Sequence, residues 1–332
     1  MVDFTVFKGS KEGKIVKSTT TKTLGPNDVL IKVTHSGLCG TDEHYKHSGC
    51  VLGHEGAGIV EEVGSAVRTH RKGDSVGWGY QNKACNHCKQ CLTGHETLCE
   101  ERELYGNHNL DQGSFASHAV WDADYIYNIP SSIPRELAAP LMCGGATVYN
   151  ALRSFNGGVK PNDRVGIIGI GGLGHLAIQF AAKMGVQVVV FSGTDAKKEE
   201  ALALGANEFV ATKGVSELKV SDPIDHLIVT TSFQPDWKLF LPVLAPSATI
   251  YPLSVSFDDF QMPYVPLLWK ELKVQGSLVA ARQVHRNMLE FAARHQIKPI
   301  IELFPMTEDG ITEAMEKLAN GHMRYRGVLV AQ

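Results

Sequence analysis

The stretch RVGIIGIGGLGHLAIQFAAKMGVQVVVF, residues 164–191, limits the fold more than any other part of the chain. A β-branched run leads into a glycine turn. Leu173, Leu176, Ala177, Phe180, Ala181 and Met184 then recur at spacings of three and one, the pattern of one apolar helix face, and a second β-branched run follows. Strand, helix, strand in that order implies parallel pairing with a helix packed on the sheet. The pattern continues with a second helix, AKKEEALALGA, ended by Gly205, and with buried-strand runs DHLIVTT and ATIYPLS. Gly169, Gly171 and Gly174 form G-x-G-x-x-G, with Gly172 and Leu173 inside the turn. In this setting the glycines allow a tight turn and the close approach of a pyrophosphate to the helix N-terminus, so a dinucleotide is the expected ligand.

The next strand end indicates which dinucleotide. It reads VVVFSGTDAKK, with no acid at Phe191, Ser192 or Gly193 to take a ribose 2′-hydroxyl. Asp195 comes later, where it is expected to cap the following helix. Ser192 and Thr194 can donate to a 2′-phosphate, and Lys197 or Lys198 can neutralise it, which favours NADP(H). The alternative is that both lysines simply face solvent.

The first 130 residues read differently. DVLIKVTHSGLCG and GAGIVEEVGSAVRTHRKGDSV are short strands separated by turn residues, and the Cys and His clusters lie in the loops. A chain of 332 residues is about right for two domains. The last fifty mix helix, as in VHRNMLEFAARH, with a closing strand, RGVLVAQ, able to rejoin the first region. A net charge of -3 with no Lys/Arg run argues against a nucleic-acid partner. No apolar run is long enough for a membrane helix. The opening MVDFTVFKGS lacks the apolar core of a secretory signal, so a reducing, cytoplasmic location is expected. Cysteines there more often bind metal than form disulfides.

Four of the seven cysteines, Cys85, Cys88, Cys91 and Cys99, follow C-x2-C-x2-C-x7-C. The x2 spacings let tight turns present thiolates to one point, as tetrahedral zinc requires, and four sulfurs leave no open position. The ferredoxin spacing of an iron–sulfur site is absent. The cluster is therefore expected to be a structural zinc staple, with the chemistry elsewhere. Cys39, His54 and Cys143 form a second set: two thiolates and an imidazole would leave zinc an open fourth position. No local spacing joins these three, so taken alone each reads more readily as a buried thiol or a satisfied core histidine than as a ligand. Cys50 reads as an ordinary buried thiol.

Together, GLCGTDEHY, GHEGAGIVEEVG, CNHCKQCLTGHETLC, APLMCGGATVYNAL, GIGGLGHLAIQFAAKMG and KKEEALALGA resemble the zinc-dependent medium-chain alcohol dehydrogenases, most closely their NADP-preferring, cinnamyl-alcohol-dehydrogenase-like branch. The resemblance covers nearly the whole length. It implies an α/β protein with a GroES-like β-rich catalytic domain at 1–146 with 281–332 and a Rossmann doubly wound parallel-sheet domain at 147–280. It also places Cys39, His54 and Cys143 on the catalytic zinc, with Glu55 able to approach it. Asp42 matches a carboxylate that orients the ligating histidine, and Thr41 the hydroxyl that passes a proton to or from the substrate oxygen. His44 matches the outer end of that relay, and Thr147 a position beside the nicotinamide. A homodimer is implied as well.

Two departures stand out. Gly40 occupies a position where many relatives carry His or Arg near the pyrophosphate, and the segment from Cys39 to His54 is short. Trp78, Tyr80 and Tyr105 lie near these loops, as pocket lining or as core. The expected activity is reversible hydride transfer between NADP(H) and a primary alcohol or aldehyde of aromatic or medium size. The alternatives are a reductase of a conjugated carbon–carbon double bond and a non-enzymatic nucleotide- or zinc-binding protein.

Overall fold

The computed structural model describes residues 1–153 and 158–332, which divide into two compact units, Met1–Ala146 with Val279–Gln332, and Thr147–Leu278. The second crossing lies two residues before position 281, ahead of Ala280, which is already buried at the foot of the following helix.

In the first unit the strand Asp28–Leu38 is the organiser. It pairs antiparallel with Gly56–Val63, with His118–Asp122 and with the closing strand Arg326–Val330. The tail thus enters the N-terminal sheet, with Gly327 opposite Leu38 and Val330 opposite His35. Ile301–Pro305 runs parallel to the closing strand on its other side, and Ser75–Trp78 extends the sheet beyond Gly56–Val63. Alternating apolar residues of these strands fill one core with Trp78, Phe115, Trp121 and Tyr125. The Trp78 and Trp121 rings lie 5.8 Å apart.

The second unit is a six-stranded parallel sheet. Its order is Glu208–Ala211, Gln187–Ser192, Arg164–Ile168, Ile224–Val229, Leu244–Pro252, Lys273–Val274. Numbered within the unit this is 3-2-1-4-5-6, and the reversal beside Arg164–Ile168 opens a crevice at the strand ends where such sheets bind dinucleotides. The helix Gly174–Lys183 is buried on more than the predicted face: His175 and Ile178 are covered too. On the predicted face, Phe180 packs edge-on to Tyr149 of the helix Ala146–Arg153, with ring centroids 5.6 Å apart.

Candidate active site

Antiparallel pairing sets Cys39 and His54 side by side. Cys39 follows the end of Asp28–Leu38, and His54 and Glu55 precede the start of its neighbour Gly56–Val63. Gly56 is paired with Ser36, and Gly37 N–H donates to Glu55 O at 2.9 Å. A side chain at Gly37 would collide with the Glu55 carboxylate, so only glycine admits that carboxylate here. Cys143 arrives from a third direction. Pro140, which has no N–H to donate, ends the helix Arg135–Pro140, and a wider π-turn, Leu141–Gly145, carries Cys143. One ligand atom from each of Cys39, His54, Glu55 and Cys143 lies within 4.8 Å of the others.

A single carboxylate fixes two of these residues. Asp42 is 0% exposed. Its Oδ2 accepts from the Cys39 N–H at 2.9 Å, the reach-back of a capping box at the start of the helix Gly40–Tyr45. Its Oδ1 lies 3.0 Å from His54 Nδ1, which assigns that ring proton to Nδ1. Tyr105 donates its hydroxyl to the same Oδ1 at 2.9 Å and accepts from Gly53 N–H at 3.0 Å. Burial opposes a charged His54, but Asp42 and Cys39 hold its pKa well above the usual histidine range. The Cys143 thiol, hydrogen-bonded to Cys39, holds Cys39 well below the ordinary thiol range, and the same bond pushes Cys143 well above it. Burial drives Glu55 up to about 7 against the pull of Arg326.

Tyr105 and Arg326 were not singled out for these tasks from sequence. Arg326 opens the closing strand, and its Nη2 pairs with Glu55 Oε1, both side chains buried. Losing the arginine would strand a buried carboxylate, at a cost of about 3–5 kcal/mol. An arginine opening an otherwise apolar strand was the available signal. Trp78 is core, and Tyr80 is half-buried with its ring edge-on to His54 at 5.5 Å. Thr41 is half-buried, its Oγ1 3.6 Å from Cys39 Sγ, and His44 is exposed three residues further along the same helix. Cys50 is buried in the core and takes the Ser48 hydroxyl at 3.0 Å.

The residues fit a zinc ion. His54 Nε2 is buried and has no hydrogen-bond partner among the described residues, and neither has Glu55 Oε2. Two thiols and an imidazole whose other nitrogen is held by a carboxylate form a zinc donor set with its supporting partner.

Cys85, Cys88, Cys91 and Cys99 also converge. The sulfurs of Cys85 and Cys91 lie 3.9 Å apart, those of Cys88 and Cys91 3.6 Å, and those of Cys99 and Cys85 3.6 Å. Zinc–sulfur bonds in a tetrahedron require edges of about 3.8 Å. Backbone N–H groups at His87 and Cys88 bring the Cys85 thiol down to about 6, while burial and the neighbouring Cys88 push Cys91 up to about 12.

In the second unit, Gly169 has φ +92°, a conformation natural to glycine, and its N–H donates to Phe191 O at 2.9 Å. A side chain at Gly174 would strike the Gly169 carbonyl, whereas a Cβ on Gly171 would meet nothing within 4 Å among the described residues. The turn therefore keeps a cradle of backbone, with Gly172 and Leu173 leading into the helix. Lys197 reaches back to it, its Nζ donating to Ile170 O at 2.9 Å, while Lys198 is exposed. Ser192 ends its strand half-buried, and Thr194 is exposed. Asp195 does not cap the next helix: a short 3-10 turn, Asp195–Lys197, intervenes, with Thr194 at its cap position. Thr147 is buried and belongs to this unit. Gly40 is exposed, and a Cβ built there would meet nothing within 4 Å among the described residues.

Comparison with known proteins agrees with this geometry. Residues 25–131 match the family model described as Alcohol dehydrogenase GroES-like domain, and residues 172–294 the model described as Zinc-binding dehydrogenase. The chain is 34% identical to NADP-dependent alcohol dehydrogenase C 1 of Mycolicibacterium smegmatis, covering 95% of this chain and 94% of that protein. It is also 34% identical to Cinnamyl alcohol dehydrogenase 7 of Arabidopsis thaliana, over 92% of this chain and 88% of the relative. A solved cinnamyl alcohol dehydrogenase of Sorghum bicolor (L.) Moench superposes with a TM-score of 0.88 at 30% identity, covering 99% of this chain and 98% of that one. Matched along nearly its whole length in sequence and fold, the chain belongs to the zinc-dependent medium-chain alcohol dehydrogenases, in their cinnamyl-alcohol-dehydrogenase-like branch.

Proposed function

We propose that the protein is an NADP(H)-dependent zinc alcohol dehydrogenase that interconverts a primary alcohol and its aldehyde, with aldehyde reduction as the working direction. The observation that carries this is the bare Nε2 of His54, held by Asp42 and grouped with Cys39 and Cys143. Zinc there supplies a Lewis acid for the carbonyl oxygen, and NADPH supplies the hydride. Asp42 keeps His54 and Cys39 in place. Thr41 gives the proton that the reduced oxygen needs, and exposed His44, on the same helix, restores it from solvent. Tyr80, edge-on to His54, offers a planar wall suited to an aromatic aldehyde. Cys85, Cys88, Cys91 and Cys99 hold a second, structural zinc. Metal analysis of the purified protein tests the sites: two zinc ions per chain are expected, and one or none would refute the assignment.

Gly169, Gly171, Gly172, Leu173 and Gly174 are assigned to the pyrophosphate, and Thr147 to the nicotinamide. Ser192, Thr194 and Lys197 are assigned to the 2′-phosphate, with Lys198 at the rim. A charge-assisted bond to phosphate contributes about 1.5–3 kcal/mol. Lys197→Ala should therefore raise the KM for NADPH about tenfold or more while leaving that for NADH nearly unchanged. Equal effects on both cofactors would remove Lys197 from the phosphate site.

We also propose a homodimer formed along one sheet edge. The outer strand Lys273–Val274 is exposed, and close to it in sequence lie Phe257 and Trp269, each 85% exposed, with Tyr264 and Leu268. An unpaired edge beside so much apolar surface is suited to a second copy. Light scattering should give twice the chain mass, and Trp269→Glu should reduce it to the single-chain value; a monomeric wild type would contradict this. Among the described residues no helix is long and apolar enough to cross a membrane. All seven cysteines are free, and six of them fall in the two ligand sets, which supports a reducing cytoplasmic setting.

A further inference from the structure

The loop that gathers four thiols also holds a buried carboxylate. Glu96 lies between Cys91 and Cys99 in the short 3-10 turn Glu96–Leu98 and is 2% exposed. Its Oε1 accepts from the Arg282 backbone N–H at 2.5 Å and from Arg282 Nε at 3.1 Å. Its own carbonyl accepts from Gln81 Nε2 at 3.0 Å, which ties the turn to the neighbouring strand.

Arg282 is the first residue of the helix Arg282–His295, and Ala281 before it offers no capping side chain. Glu96 supplies from far away in sequence the acceptor and the negative charge that this helix start lacks. The Arg282 guanidinium also pairs with Asp124 at 3.2 Å and lies 5.1 Å over the Tyr125 ring. One turn further on, His285 is buried and stacked on Tyr127, with ring centroids 4.5 Å apart. Its Nε2 is 3.1 Å from the carbonyl oxygen of Met142. Met142 immediately precedes Cys143 in the π-turn.

These contacts form a continuous path from one cysteine set to the other: Glu96, Arg282, His285, Met142, Cys143. Every member belongs to the same compact unit. We infer that the four-thiolate loop positions Cys143 through this path, so that the grip of Cys39, His54 and Cys143 on their metal depends on the loop being intact. Glu96 and His285 are positioning residues, and the coupling rests on the reading that both cysteine sets hold zinc. Supporting partners of a metal ligand typically change metal affinity by about 10–100-fold. Residues acting along one path should show non-additive effects.

The test follows zinc leaving the fully loaded chain into excess chromogenic chelator. The release phase absent from Cys143→Ser marks the Cys39/His54/Cys143 site. Glu96→Ala should speed that phase about tenfold. Glu96→Gln keeps an acceptor for the Arg282 N–H and should stay within about threefold of wild type. His285→Phe retains the stack on Tyr127 but loses the bond to Met142. It should speed the Cys143 phase while leaving release from the four-thiolate loop at the wild-type rate, which a general loss of stability would not do. The double variant Glu96→Ala/His285→Phe should be no faster than the faster single. A Cys143 phase unchanged in His285→Phe would overturn the coupling even if Glu96→Ala failed to fold. A wild type carrying fewer than two zinc ions would instead overturn the reading of the sites beneath it.

Discussion

Cys143→Ser is expected to lose one zinc per chain and to lower aldehyde reduction about a thousandfold or more, while the four-thiolate loop keeps its metal. A thousandfold corresponds to about 4 kcal/mol, the size of effect expected when a Lewis acid aimed at a carbonyl oxygen is lost. Serine nearly matches cysteine in volume, so the π-turn Leu141–Gly145 should persist and unfolding should not explain the loss. Melting temperature and NADPH affinity are the controls, because the glycine turn lies in the other compact unit. Full activity with one zinc per chain would mean that the chemistry lies elsewhere.

Thr41→Val is expected to cut turnover by about 10²–10⁴, the usual contribution of a positioned proton-transfer group. Valine matches threonine in shape but has no hydroxyl. Thr41 stands two residues after Cys39 with its Oγ1 3.6 Å from the sulfur, yet Asp42, not Thr41, secures the Cys39 backbone. Zinc content and NADPH affinity should therefore stay near wild type while kcat falls. Normal turnover in this variant would refute the relay. His44→Ala should have a milder effect that small buffer acids relieve, because the exposed outer station exchanges protons with solvent.

What was legible in the sequence was mainly what is local. The x2 spacings of Cys85, Cys88 and Cys91 and the run from Gly169 to Gly174 each fit within one turn of chain, so their geometry follows from spacing. The grouping of Cys39, His54 and Cys143 is not local. It depends on antiparallel pairing of two strands and on a π-turn after Pro140, and it was legible only through resemblance to a family. Tyr105 reaches Asp42 across 63 residues, and Arg326 reaches Glu55 across 271. Neither distance leaves a periodic trace. Asp195 departs from its expected capping role because a 3-10 turn, Asp195–Lys197, precedes the helix and puts Lys197 at the helix cap position. Glu96, in the midst of the cysteines, was passed over because its partner, Arg282, lies 186 residues away.

The most direct test of the central claim is the initial rate of cinnamaldehyde reduction with NADPH and with NADH, before and after chelation of zinc. The account predicts fast turnover with NADPH, much slower turnover with NADH, and loss of activity on chelation that added zinc restores. NADPH-driven reduction that persists in protein stripped of all zinc would contradict it.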